Sequence, residues 1–243
     1  MPDDWRTKSD FPDDREWPEF FYMPVLMLML ITLLNDGTLI SVGYDNAIPR
    51  DEPEKWNMPV LFFISTVLAS VACISSLLLL SAGLESWKDD SIFQQWGLGG
   101  LSYGQITTMI YLKVSVSDFL TLFTTRTGPH FFWTTRPANV LLGMGGVALS
   151  ISTILAVSWP ESSPDGVYTL GLGRRKPYGL VVYVWLYCLF WFFVQDLCKV
   201  CAYKLIIHYN LWGYSDSGKL SLPPSTIQYI EKNKEKHMSS FSH

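Results

Sequence analysis

FFYMPVLMLMLITLLNDGTLISV, residues 20–42, is an apolar run that carries Asn35, Asp36 and Gly37 about two-thirds of the way along. As a helix rising about 1.5 Å per residue, it is long enough to cross a hydrocarbon core of about 30 Å. A carboxylate at that depth costs about 2.5–3.5 kcal/mol on insertion scales, so such residues face a pathway or a partner. Burial also disfavours the charged form of a carboxyl group, which suits Asp36 to taking up and releasing protons. The stretch therefore predicts a membrane helix whose Asp36 binds a proton and is held in place by the other spans. Pro24 falls in its first turns, where a missing N–H is tolerated. Gly37 weakens the helix locally and is placed to free backbone carbonyls beside the carboxylate.

Outward from this run, the pattern repeats. Further apolar blocks cover residues 58–84, 103–123, 137–159 and 178–202. The prediction is an all-α membrane protein of about five transmembrane helices, with the lipid bilayer as its first partner. Residues 1–19 form a polar lead with seven acids and three prolines, and residues 203–243 a polar tail. That acidic start does not read as a signal peptide. Seven Lys/Arg flank the spans on the side of the lead and nine on the side of the tail. This bias puts the lead outside and the tail in the cytosol. An odd number of spans with an outside start is the expectation for a piece of a longer membrane protein. Net charge is -4 with no basic stripe, which excludes nucleic acid as a partner. An assembly of like copies is compatible with the sequence and not specified by it.

The span at 103–123 is the least apolar, carrying Lys113, Ser115, Ser117 and Asp118, so one of its faces packs against protein or water. Lys113 and Asp118 are five residues apart, about 140° around a helix, and do not face each other; each is expected to pair with another helix. Asp196 and Lys199 are three apart and form a structural pair on one helical face near the membrane boundary. Pro137 opens the fourth span. Gly143, Gly145, Gly146, Ala148 and Ser152 give that span a surface that allows close helix approach. The aromatics between Tyr183 and Phe193 read as lipid and interface contacts. Cys198 and Cys201 have no second pair and no adjacent histidine, so no metal site is expected.

Three stretches carry a resemblance. Leu34-Asn35-Asp36-Gly37-Thr38 resembles the sixth transmembrane helix of the P-type plasma-membrane proton ATPases of plants, fungi and protists. Residues 111–118, followed by Phe123-Thr124-Thr125-Arg126-Thr127 and Trp133-Thr134-Thr135-Arg136-Pro137, look like the eighth helix and the loop into the ninth. Val184-Trp185-Leu186-Tyr187, with Asp196 and Lys199 beyond, looks like the tenth. The resemblance extends over nearly all of residues 17–209 and implies helices six to ten of such a pump. It places Asp36 on the aspartate that takes up and releases the transported proton. Asn35 either holds the protonated form by hydrogen bond or only packs between helices. Asp118 falls where fungal members carry an acid and plant members a glutamine, which makes it a secondary transport candidate. Lys113 departs from the glutamine common at its position.

The phosphorylation motif Asp-Lys-Thr-Gly-Thr, the Thr-Gly-Glu-Ser loop and Gly-Asp-Gly-x-Asn-Asp do not occur in this stretch of chain. The resemblance implies ATP and Mg2+ for the intact pump, but these residues hold neither the aspartyl-phosphate nor the nucleotide site. The expected function is thus the transport half of an ATP-driven proton exporter of the plasma membrane. Its missing partner would be the N-terminal half, with helices one to five and the cytoplasmic domains. The alternative is a free-standing five-span protein that associates with or regulates a full-length pump.

Overall fold

The computed structural model describes residues 20–45, 57–86 and 91–213. The predicted lead and most of the predicted tail lie outside the described residues. Six α-helices follow in order: α1 (Val25–Val42), α2 (Met58–Leu84), the short α3 (Ile92–Gln95), α4 (Tyr103–Thr125), α5 (Asn139–Ser158) and α6 (Leu180–His208). All but α3 are long and apolar enough to cross a membrane.

The helix ends follow from local chemistry. Pro24 lies before α1 as its N-cap residue, rather than within its first turns; its carbonyl accepts from Met27 N and Leu28 N. Asn57 caps α2, its Oδ1 accepting from Val60 N at 3.4 Å, with Pro59 at an N-terminal position that needs no N–H. Ser102 and Gln105 close a reciprocal capping box at the start of α4. Gln105 Nε2 also reaches the carbonyls of Arg175 and Lys176. The last helix continues past Ala202 to His208, because Ile206 is fully buried against the α2 face made by Val60, Ile64 and Leu68.

In lipid no hydrophobic force drives helices together; close packing and interhelical hydrogen bonds do. These converge on α4, which packs against α1, α2, α5 and α6. Its side chains Ile106, Met109, Leu112, Val116 and Phe119 are buried. Its polar residues Thr107, Thr108, Lys113 and Ser115 are buried with them. The face that composition assigned to protein or water is thus most of the helix. On the outer helices the large apolar residues point outward instead: Phe62 on α2, Ile154 on α5, and Leu186 and Phe190 on α6 are exposed. The loop after α5 folds back, with Trp159, Val167, Leu170 and Leu172 buried. Gly104 makes that contact possible, since a Cβ there would stand 2.7 Å from Leu170 N. Here α4 meets backbone, and only glycine leaves room for it.

Candidate functional site

Residues 35 and 36 are successive on α1 and therefore point about 100° apart. When one faces α4, the other turns away. Asn35 is the one turned inward: its Nδ2 donates to Asp118 Oδ2 of α4 at 2.9 Å. Asp36 lies on the outer face with Leu33 and Ile40, both exposed, and is itself exposed. The other spans thus hold Asn35, not Asp36 as expected; the carboxylate of Asp36 has no hydrogen bond or ion pair among the described residues. Gly37 does not open the backbone either. Helix α1 runs unbroken through it, and nothing lies within 4 Å of where its Cβ would be.

Lys113 and Asp118 go to different neighbours, as their angular separation requires. Lys113 is 1% exposed, and its Nζ donates to Ala72 O at 3.0 Å and to Ser76 Oγ, both on α2. Among the described residues it forms no ion pair. It anchors α4 to α2, while Asp118 meets α1.

Asp196 and Lys199 form a 2.7 Å ion pair, each about 1% exposed. The geometry goes beyond a pair on one helix. Lys199 Nζ also donates to Thr124 O at 2.8 Å and Thr127 Oγ1 at 2.9 Å, so all three of its N–H groups have acceptors. Asp196 Oδ2 accepts from Phe132 N at 3.1 Å. The pair clamps the end of α4 and the following loop onto α6. Gln195 beside it accepts from Thr121 and donates to Leu68 O, tying α4, α6 and α2 together.

One ion pair escaped the sequence reading. Asp45, just past α1, accepts from Arg126 Nε at 2.8 Å and Nη2 at 3.0 Å, and from Ala138 N at 3.0 Å. Arg126 Nη1 donates to Thr135 O at 2.8 Å. The carboxylate thus joins the last residues of α1 to the end of α4 and the start of α5. Charges directly flanking two apolar runs were the available signal, but 81 residues separate the partners and sequence spacing does not pair them. Asp45→Ala is expected to cost about 1.5–3 kcal/mol, the range for hydrogen bonds to charged groups. Thermal unfolding of the chain in nanodiscs measures it, and an unchanged midpoint would remove Asp45 from the account.

Chemically, this arrangement offers two carboxylates, Asp36 and Asp118, bridged in sequence and space by an amide that bonds one of them. No protein-family model matches the chain. Its sequence is 43% identical to two probable proton ATPases of Leishmania donovani, 1A and 1B, in each case over 91% of this chain and 25% of the relative. A probable plasma membrane ATPase of Dictyostelium discoideum is 26% identical over 74% of the chain and 17% of its own length. The chain therefore spans about a quarter of the length of these two curated relatives. With five membrane-length helices among the described residues and this match along most of its length, the chain is similar to a membrane-spanning portion of these proton ATPases.

Proposed function

We propose that these helices are the transport portion of an ATP-driven proton exporter of the plasma membrane, with Asp36 as the proton-binding carboxylate. What supports this most is the placement of Asp36. A carboxylate at mid-helix, flanked by exposed Leu33 and Ile40, is costly to leave against lipid. In the intact pump that face of α1 is where the remaining membrane helices pack, and they supply the charge that lowers proton affinity when the proton is released. Asn35 keeps α1 in register by its bond to Asp118, which fixes the direction in which Asp36 points. Asp118 is the second carboxylate near the path.

ATP and magnesium are implied for the intact pump by the proton ATPases that the chain resembles. Among the described residues no three His, Cys, Asp or Glu side chains come together to hold a metal ion. ATP chemistry belongs to another part of the pump. In this reading residues 1–19 are the extracytoplasmic lead and residues 203–243 the cytosolic tail.

The test is a chimera in which residues 20–209 replace the matching region of a related proton ATPase. Inside-out vesicles holding it should acidify on addition of ATP. ATP hydrolysis without acidification, in a chimera that reaches the membrane intact, would overturn the proposal.

A further inference from the structure

The first N–H groups of a helix find no acceptor within it, and α1 has no side-chain cap of its own. Pro24 stands at its N-cap without a side-chain bond, and its first turn holds no acid. The carbonyl of Pro24 serves Met27 and Leu28. Val25 N donates instead to Asp165 Oδ2 at 3.1 Å, 140 residues further along the chain. A carboxylate placed there accepts a hydrogen bond and also faces the positive end of the helix dipole.

Asp165 stands on a fixed post. The loop after α5 is closed by two backbone bonds between Ser162 and Thr169, and it is tied to α5 by Leu172 N to Ala156 O and Gly173 N to Val157 O. Trp159 Nε1 donates to Thr169 Oγ1. Gln105 of α4 holds the far end of the loop by the carbonyls of Arg175 and Lys176. At the tip, Asp165 has a φ of 55° and Gly166 a φ of 77°. Few residues other than glycine adopt that left-handed conformation, and aspartate is among those enriched in it.

The bond falls on the side of α1 that carries the transport candidate. Eleven residues separate Val25 from Asp36, which is about three turns and a rise of about 16 Å, so the two share a face. Met29, Leu33 and Ile40 lie on it too, all exposed. Tyr103 holds the chain before Pro24, through Tyr22, whereas Asp165 reaches the helix itself. Asn35 bonds Asp118 at mid-helix. With Asp165 at the start, α1 is fixed at two points along its length, and two points set a tilt.

We propose that Asp165 is a positioning residue for proton transport: it caps α1 from the loop after α5 and so sets the tilt at which that helix presents Asp36. The cap stands on the geometry alone, and its link to transport rests on the function proposed above. Asp165 acts through α1 and does not itself exchange the transported proton.

Two substitutions separate the bond from the turn. Asp165→Gly leaves the left-handed backbone unstrained and removes the acceptor. Asp165→Asn keeps an oxygen acceptor, and asparagine also tolerates this conformation. In the full chain in nanodiscs, hydrogen exchange at the Val25 amide should quicken several-fold in Asp165→Gly and stay near the parent rate in Asp165→Asn. Unchanged exchange in Asp165→Gly would overturn the cap. In the chimera, Asp165→Gly should lower acidification more than ATP hydrolysis, and Asp165→Asn should keep most of the parent ratio between them. Unchanged acidification in Asp165→Gly, an equal loss of both activities, or a loss shared in full by Asp165→Asn would overturn the positioning role. If the unsubstituted chimera failed to acidify, the transport reading would fall and the positioning role with it, while exchange at Val25 would still decide the cap.

Discussion

Asp36→Asn in a pump carrying these helices is expected to abolish ATP-driven proton transport while leaving the protein in the membrane. Asparagine matches the carboxylate in size and shape but has no site that binds and releases a proton near neutral pH. Its effect on folding should be small, because Asp36 makes no hydrogen bond or ion pair among the described residues and sits on the outer face of α1. Loss of transport would then report on proton handling and not on damage to the bundle. The readouts are vesicle acidification and the amount of protein in the membrane fraction. Normal acidification by the variant would sink the assignment of Asp36. Asn35→Ala is the companion: it cuts the bond to Asp118 and should weaken transport without abolishing it, since the carboxylate remains.

The largest effect on stability is expected for Asp196→Ala. This removes the carboxylate of a pair that is about 1% exposed and leaves the Lys199 ammonium buried without its counter-charge. Breaking such a pair from one side typically costs about 3–5 kcal/mol, more than the pair contributes over an apolar replacement. It also strands Phe132 N, which donates to the lost oxygen. Asp196→Leu together with Lys199→Met should recover much of the loss, because no buried charge remains. Thermal unfolding in nanodiscs distinguishes the cases. A single variant as stable as the parent would mean that the ammonium finds water or another acceptor.

The spans were legible in the sequence because each is a long run of apolar residues, and a packed face on α4 was legible because Lys113, Ser115 and Asp118 cannot all face lipid, although its burial nearly all round was not. Three more things were not. The first is facing: from LLNDGT alone, Asn35 and Asp36 are equally good candidates for the inward position. The choice is made by Asp118 on a helix 83 residues away. The second is the end of α6, where Tyr203 and Lys204 suggested a tail. Helix α6 continues because Ile206 has a seat against α2, and a lysine can extend its charged end along the helix to the boundary. The Asp45–Arg126 pair was missed for the same reason as the facing of Asn35. Long-range partners in a bundle are set by how helices cross, and a one-dimensional pattern holds no record of that.

Helix α1 is fastened at both extremities. At one, Tyr103 bonds the backbone of Tyr22 and Asp165 accepts from Val25 N; at the other, Arg126 and Ala138 N grip Asp45. Between them, among the described residues, the helix meets α4 in one polar contact, at Asn35 beside a glycine with open space around it, while Met27, Ile31, Thr38 and Ser41 are buried. A rod mounted this way does not slide when pushed from the side. It bows and twists at mid-span, and its end fastenings return it when the load is lifted. A lateral load from neighbouring helices on the outer face of α1 would act on the orientation of Asp36, with the rest of the bundle serving as the frame.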